Sequence, residues 1–125
     1  FRRVLFRSAK AAREAKVQRI VITHPEAPML NLSPEDEKAL LQYDVFFERC
    51  ALYCVTDRVP WDAMFNRIRQ LGASRTIMST DLGQPRNPFQ EEGIGIYVEC
   101  LLDAGFSSSE IETMCQQNPR GMLET

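Results

Sequence analysis

Histidine is nearly absent from this 125-residue chain, in which His24 is the only one. That excludes a self-contained zinc centre built on several imidazoles, because a catalytic zinc takes about three protein ligands. Positive charge is also in short supply, with 15 Lys and Arg against 17 Asp and Glu and a net charge of −2. There is no basic block and no interleaving of basic with aromatic residues, so nothing points to nucleic acid as a partner. No apolar run approaches the ~18 residues of a membrane helix. Val4-Leu5-Phe6 is too short for the apolar centre of a secretory signal. The reading is a soluble, cytoplasmic protein with no membrane partner. The four cysteines, Cys50, Cys54, Cys100 and Cys115, lack the C-x-x-C spacing of a zinc knuckle. A chain with this much apolar content has no need of disulfide staples, so they read as buried free thiols in a reducing compartment.

What the chain does have is 44% hydrophobic and 26% charged residues, the ordinary balance of one globular domain. Two stretches share a design. Arg75-Thr-Ile-Met-Ser-Thr-Asp-Leu-Gly-Gln-Pro-Arg-Asn-Pro88 begins as a short apolar strand and delivers Asp81 into a loop punctuated by Gly83, Pro85 and Pro88. Arg19-Ile-Val-Ile-Thr-His-Pro25 likewise ends a strand on His24. Side chains at the carboxyl ends of parallel strands form the ligand edge of α/β proteins. His24 and Asp81 are therefore read as two pieces of one site.

Phe1 to Ser8 resemble the translation of a sequencing adaptor and are set aside as non-native, which implies a natural chain extending further toward the N-terminus; the other reading is an ordinary amphipathic helix start. From Ala9 onward the pattern predicts the end of a helix to Lys16 and a strand over Val17 to Thr23. A helix capped by Ser33 follows to about Gln42, then a strand over Val45 to Cys50 turning into loop. The next helix starts at Pro60 and ends at Gly72, before the strand over Thr76 to Ser79. A helix from about Phe89 to Ala104, a short one from Glu110 to Gln116 and a last turn at Asn118 complete the order. Strands alternating with helices specify a parallel sheet, and apolar residues on both sides of the first strand predict burial on both faces. In that strand Ile20, Ile22 and His24 share one face; Ile77, Ser79 and Asp81 share one face of the third. If both faces look into one interior, His24 and Asp81 lie at the same end, one strand apart. Three strands make neither a closed barrel nor a comfortable open sheet, so a truncated domain is expected, with Ile20 and Ile22 short of partners.

Each candidate has a competing structural role. His24 serves equally as a structural imidazole or a metal ligand. Asp81 could cap its loop with an Asx turn, although a carboxylate leaving an apolar strand needs donors or a metal. Glu48, behind two phenylalanines, reads as a salt bridge to Arg49 or Arg58, or as an accessory to the site. Gln84, Arg86 and Asn87 are candidates for substrate contact, or simply face water. One imidazole with one or two carboxylates suits a divalent metal, zinc foremost with manganese and iron as alternatives, that activates water.

Together, Ile20-Val-Ile-Thr-His-Pro-Glu26, Leu32-Ser-Pro-Glu-Asp36, Phe47-Glu-Arg-Cys50 and Ser79-Thr-Asp-Leu-Gly-Gln-Pro-Arg-Asn-Pro88 resemble the C-terminal half of an amidohydrolase-like metal-dependent hydrolase. More narrowly, the likeness is to an uncharacterised bacterial family of that superfamily, over residues 9–125. Ala104-Gly-Phe-Ser107 with Glu110-Ile111, and Asn118-Pro-Arg-Gly-Met-Leu123, are similar to the way such barrels close. The resemblance implies a (β/α)₈ TIM-type barrel with one or two divalent metals and a small-molecule substrate. It implies that His24 is a strand-end metal ligand, and that Asp81 binds metal and takes a proton from the attacking water. The His-x-His of the first strand, the mid-barrel lysine and the other strand-end histidine have no counterpart here. The expectation is an inactive fragment that self-associates through exposed strand edges. The rival is a non-catalytic α/β module that binds a small molecule or a protein at the same edge.

Overall fold

The computed structural model describes residues 2–30 and 32–124. Three parallel strands, β1 (Ile20–Thr23), β2 (Val45–Cys50) and β3 (Thr76–Ser79), form one sheet in the order β1-β2-β3. The fold is mixed α/β: helices α1 (Arg2–Glu14), α2 (Pro34–Leu40), α3 (Leu52–Val55), α4 (Trp61–Leu71), α5 (Gln90–Asp103), α6 (Ser108–Glu112) and α7 (Asn118–Leu123) flank the sheet. None among the described residues is long and apolar enough to cross a membrane.

Local chemistry explains most boundaries. Ser33 accepts from the Asp36 amide while Asp36 returns a bond to the Ser33 amide, a capping box that starts α2 at Pro34. Gly72, at φ 91°, ends α4 where a side chain would be strained. The predicted first strand is shorter than expected. Lys16 turns left-handed (φ 62°) and the amides of Lys16 and Val17 bond back to Arg13 and Ala12, the six-residue closure that stops a helix. The Arg13 guanidinium then takes the carbonyls of Val17 and Gln18, which removes them from any ladder. α1 reaches back to Arg2, so residues 2–8 are helical and continuous with the predicted helix. Leu52–Val55 is a helical turn where a loop is predicted.

Register divides the sheet into two unlike faces. Ile22, Phe47 and Thr76 align on one face with Val45, Arg49 and Met78. Both apolar clusters pack there: Ala9, Leu32 and Leu40 on Ile22, Val45 and Phe47, and Met64, Ile68, Tyr97 and Leu101 with Met78. The other face carries Val21, Thr23, Phe46, Glu48 and Ile77. There Val21 is 41% exposed and Phe46, Glu48 and Ile77 are only half-buried. Burial on both faces is thus not what forms, since the packed helices cover one. The apolar side chains left short of cover are Val21, Phe46 and Ile77; Ile22 is buried against α1 and α2.

A charge cluster sits under the covered face. Arg49 is fully buried and pairs with Glu26 and, at 2.6 Å, with the equally buried Glu37, which Arg67 also contacts. Burial lifts the Glu37 carboxyl and pulls the Arg49 guanidinium down, while the charge and hydrogen bond of Arg67 oppose the rise at Glu37. The predicted Glu48–Arg49 bridge does not form, because neighbours on a strand point to opposite faces. Among the described residues Glu48 makes no ion pair with Arg58 either.

Candidate functional site

The carboxyl ends of the strands are where the two predicted site residues meet. β1 stops at Thr23, and His24 adopts a left-handed conformation (φ 57°). Its amide donates to the Glu48 carbonyl at 3.0 Å and its carbonyl accepts from the Ala27 amide, which starts the loop at Pro25. Strand alternation would leave the ring on the helix-covered side with Ile22. The left-handed turn breaks that alternation and carries the ring across the strand ends, edge-on to Tyr53 with centroids 5.5 Å apart. Asp81 is also left-handed (φ 53°), two residues beyond the end of β3. His24 Nε2 and Asp81 Oδ2 are 3.6 Å apart. The expected meeting at one end of the sheet is therefore present, though the shared-face argument for it is not: Ile22 and Ile77 lie on opposite faces.

Left-handed backbone at non-glycine residues carries strain and concentrates in turns and functional sites; Asp and His tolerate it better than most. Lys16, Asp44 and Asp57 share it at turns, so the conformation alone does not mark the pair. One unsatisfied polar atom adds to the case. His24 Nδ1 is buried without a hydrogen-bond partner. The Asp81 carboxylate makes no Asx turn among the described residues; the turn there is made by Thr80 Oγ1, which accepts from the Leu82 amide at 3.4 Å.

Around the pair lies a cleft of about 350 Å³ bordered by Glu48, Cys50, Ser79 and Gln90 among others. Glu48 occupies the open face of β2, between Thr23 and Ile77. Cys50 faces Ser79 across the β2–β3 ladder with Sγ and Oγ 2.9 Å apart. Burial pushes the Cys50 thiol up to about 12, so in this environment it is protonated at neutral pH. Gln84 and Asn87 bond to each other at 2.7 Å and line a neighbouring groove with Phe89; Arg86 is exposed. Of the three, Gln84 reaches the pair, donating from Nε2 to the Asp81 backbone carbonyl at 3.1 Å; Arg86 and Asn87 make no hydrogen bond to His24 or Asp81 among the described residues.

No protein-family model, curated protein or solved structure matches this chain. The donors themselves are what bear on a metal. Two metal bonds of ~2.0–2.2 Å span at most about 4 Å, and the 3.6 Å between Nε2 and Oδ2 lies within that reach. The donor set is short, however: no group of three or more His, Cys, Asp or Glu side chains placed to hold a metal occurs among the described residues. The pair fits a divalent cation as part of a ligand set.

Two features escaped the sequence reading. Gln90 borders the cleft and donates from Nε2 to the Leu82 carbonyl at 2.8 Å; a polar residue opening a helix after Pro88 was its only signal. The Arg49 cluster was the other, signalled by an arginine inside an otherwise apolar strand.

Proposed function

We propose that His24 and Asp81 are part of the metal site of an amidohydrolase-like, metal-dependent hydrolase, and that this chain supplies about three strands from the C-terminal half of its (β/α)₈ barrel. The carrying observation is the convergence of an imidazole and a carboxylate at the carboxyl ends of β1 and β3. The one-sided helix cover supports it, because a barrel strand has helices outside and other strands across its interior. Val21, Phe46 and Ile77 would line that interior.

In this reading His24 and Asp81 would hold a zinc, manganese or iron ion, and the Asp81 carboxylate would be the group that takes a proton from water. Glu48, lower on the same open face, is an accessory that orients substrate or water. When bound, the metal supplies a water acidic enough to ionise near neutral pH and polarises the bond to be cleaved. The substrate is a small molecule with a C–N, C–O or P–O bond, entering at the Gln84–Asn87 groove. The chain alone, with two donors, is inactive.

The incomplete donor set also favours a second reading, a non-catalytic module that binds a small molecule or a protein at the same edge. A longer natural reading frame separates the two. A His-x-His upstream of residue 9, with turnover of amide, lactone or phosphoester substrates lost on chelation and in Asp81→Asn, supports the hydrolase. A longer chain without those ligands, or an Asp81→Asn form with undiminished turnover, supports the module.

A further inference from the structure

We propose that Gly93 and Gln90, in the first turn of α5, are positioning residues that set the distance between Asp81 and His24 by fixing Leu82. β3 ends at Ser79, so no strand ladder holds Asp81. Three contacts anchor its turn: the Thr80 carbonyl accepts from the Leu52 amide at 2.9 Å, Gln84 Nε2 donates to the Asp81 carbonyl at 3.1 Å, and the next residue, Leu82, is buried. α5 grips Leu82 twice. Gln90 Nε2 donates to its carbonyl at 2.8 Å. Its side chain fills the space over Gly93, where a Cβ would overlap Leu82 Cδ1, come to 3.4 Å from Cγ and stand 3.7 Å from Thr80 Cγ2. Glycine is a poor residue inside a helix, and here it permits the close approach of helix and loop. Asp81 is thus held between Thr80, which caps the turn, and Leu82, which α5 pins. The proposal rests on the reading of His24 and Asp81 as a functional pair.

His24 is the only histidine, so the imidazole region of a ¹⁵N–¹H spectrum of the 125-residue chain reports on it alone. Asp81→Asn is expected to displace the His24 ring resonances. Gln90→Ala, which alters an exposed side chain and loses one hydrogen bond, is expected to displace them in the same direction by a smaller amount. Gly93→Ala is expected to do the same more strongly. Unmoved resonances in Asp81→Asn would remove the pair and this proposal with it. Resonances that move in Asp81→Asn but not in Gln90→Ala would overturn the positioning role and leave the pair standing. A folded Gly93→Ala with wild-type resonances would show that Leu82 simply rotates aside, and would overturn it equally. If Gly93→Ala does not fold, Gln90→Ala decides.

Discussion

His24 Nε2 and Asp81 Oδ2 stand 3.6 Å apart although β2 lies between their strands. Both residues reach that position by leaving the sheet in a left-handed turn. The consequence is that backbone tolerance and side-chain chemistry are demanded of the same position. Asn shares the left-handed tolerance of Asp, so Asp81→Asn should leave stability within ~0.5 kcal/mol of wild type. Asp81→Val, which does not tolerate that conformation, should cost ~1–2 kcal/mol. Urea unfolding of the two variants distinguishes them; equal losses would show that the turn tolerates any side chain.

Arg49 is the most consequential charge in the fold. Arg49→Met leaves Glu26 and Glu37 buried beside an apolar side chain, and losing one partner of a buried pair costs ~3–5 kcal/mol. Combining it with Glu26→Leu and Glu37→Leu should recover most of the loss, since Arg67 is partly exposed and can turn to water. A single variant within about 1 kcal/mol of wild type by chemical denaturation would mean the cluster is dispensable.

Asp44 ties α1 to the start of β3 through Arg13 and Arg75, each at 2.6 Å. The Arg75 hydrogen bond, ahead of the charges of Arg75 and Arg13, holds its carboxyl below the ordinary 3.8. A carboxyl that is more acidic when folded contributes stability above its unfolded value, and loses it as pH falls through the folded one. Because Asp44 is largely exposed, that contribution is at most ~1 kcal/mol after screening. Asp44→Asn should therefore lower the urea midpoint at about pH 7, by a margin that shrinks steadily as the pH is taken below the ordinary Asp range of about 3.9. A penalty independent of pH would assign the loss to the turn instead.

β1 is an edge strand whose outward Val21 is 41% exposed. Unpaired backbone on such an edge recruits other chains, and a lysine there blunts it. The 125-residue chain should sediment as more than a monomer, and Val21→Lys should shift it toward monomer without loss of folded signal. A monomeric wild type would count against the open-barrel reading.

Much of this arrangement was legible because local chemistry dictated it. The β2 and β3 boundaries, the Ser33 box and the Gly72 stop each follow from residues within a turn of the boundary. The start of β1 did not, since its loss depends on Arg13 reaching forward to Val17 and Gln18. The faces were misjudged because strand alternation was carried through His24, where the backbone turns left-handed without a glycine to announce it. Glu26, Glu37 and Arg49 are 23 and 12 residues apart in their pairings, and no local pattern reveals which carboxylate a strand arginine meets. The His24–Asp81 meeting was legible for a simpler reason: parallel strands bring their carboxyl ends to one edge.

The most direct test of the central claim is a zinc titration of the 125-residue chain followed on the His24 ring resonances. Two converging donors without a third predict weak, saturable shifts that require millimolar-range zinc, because each lost ligand lowers affinity, and that vanish in Asp81→Asn. A ring indifferent to zinc, or one that responds equally without the Asp81 carboxylate, would contradict the assignment of His24 and Asp81 to a metal site.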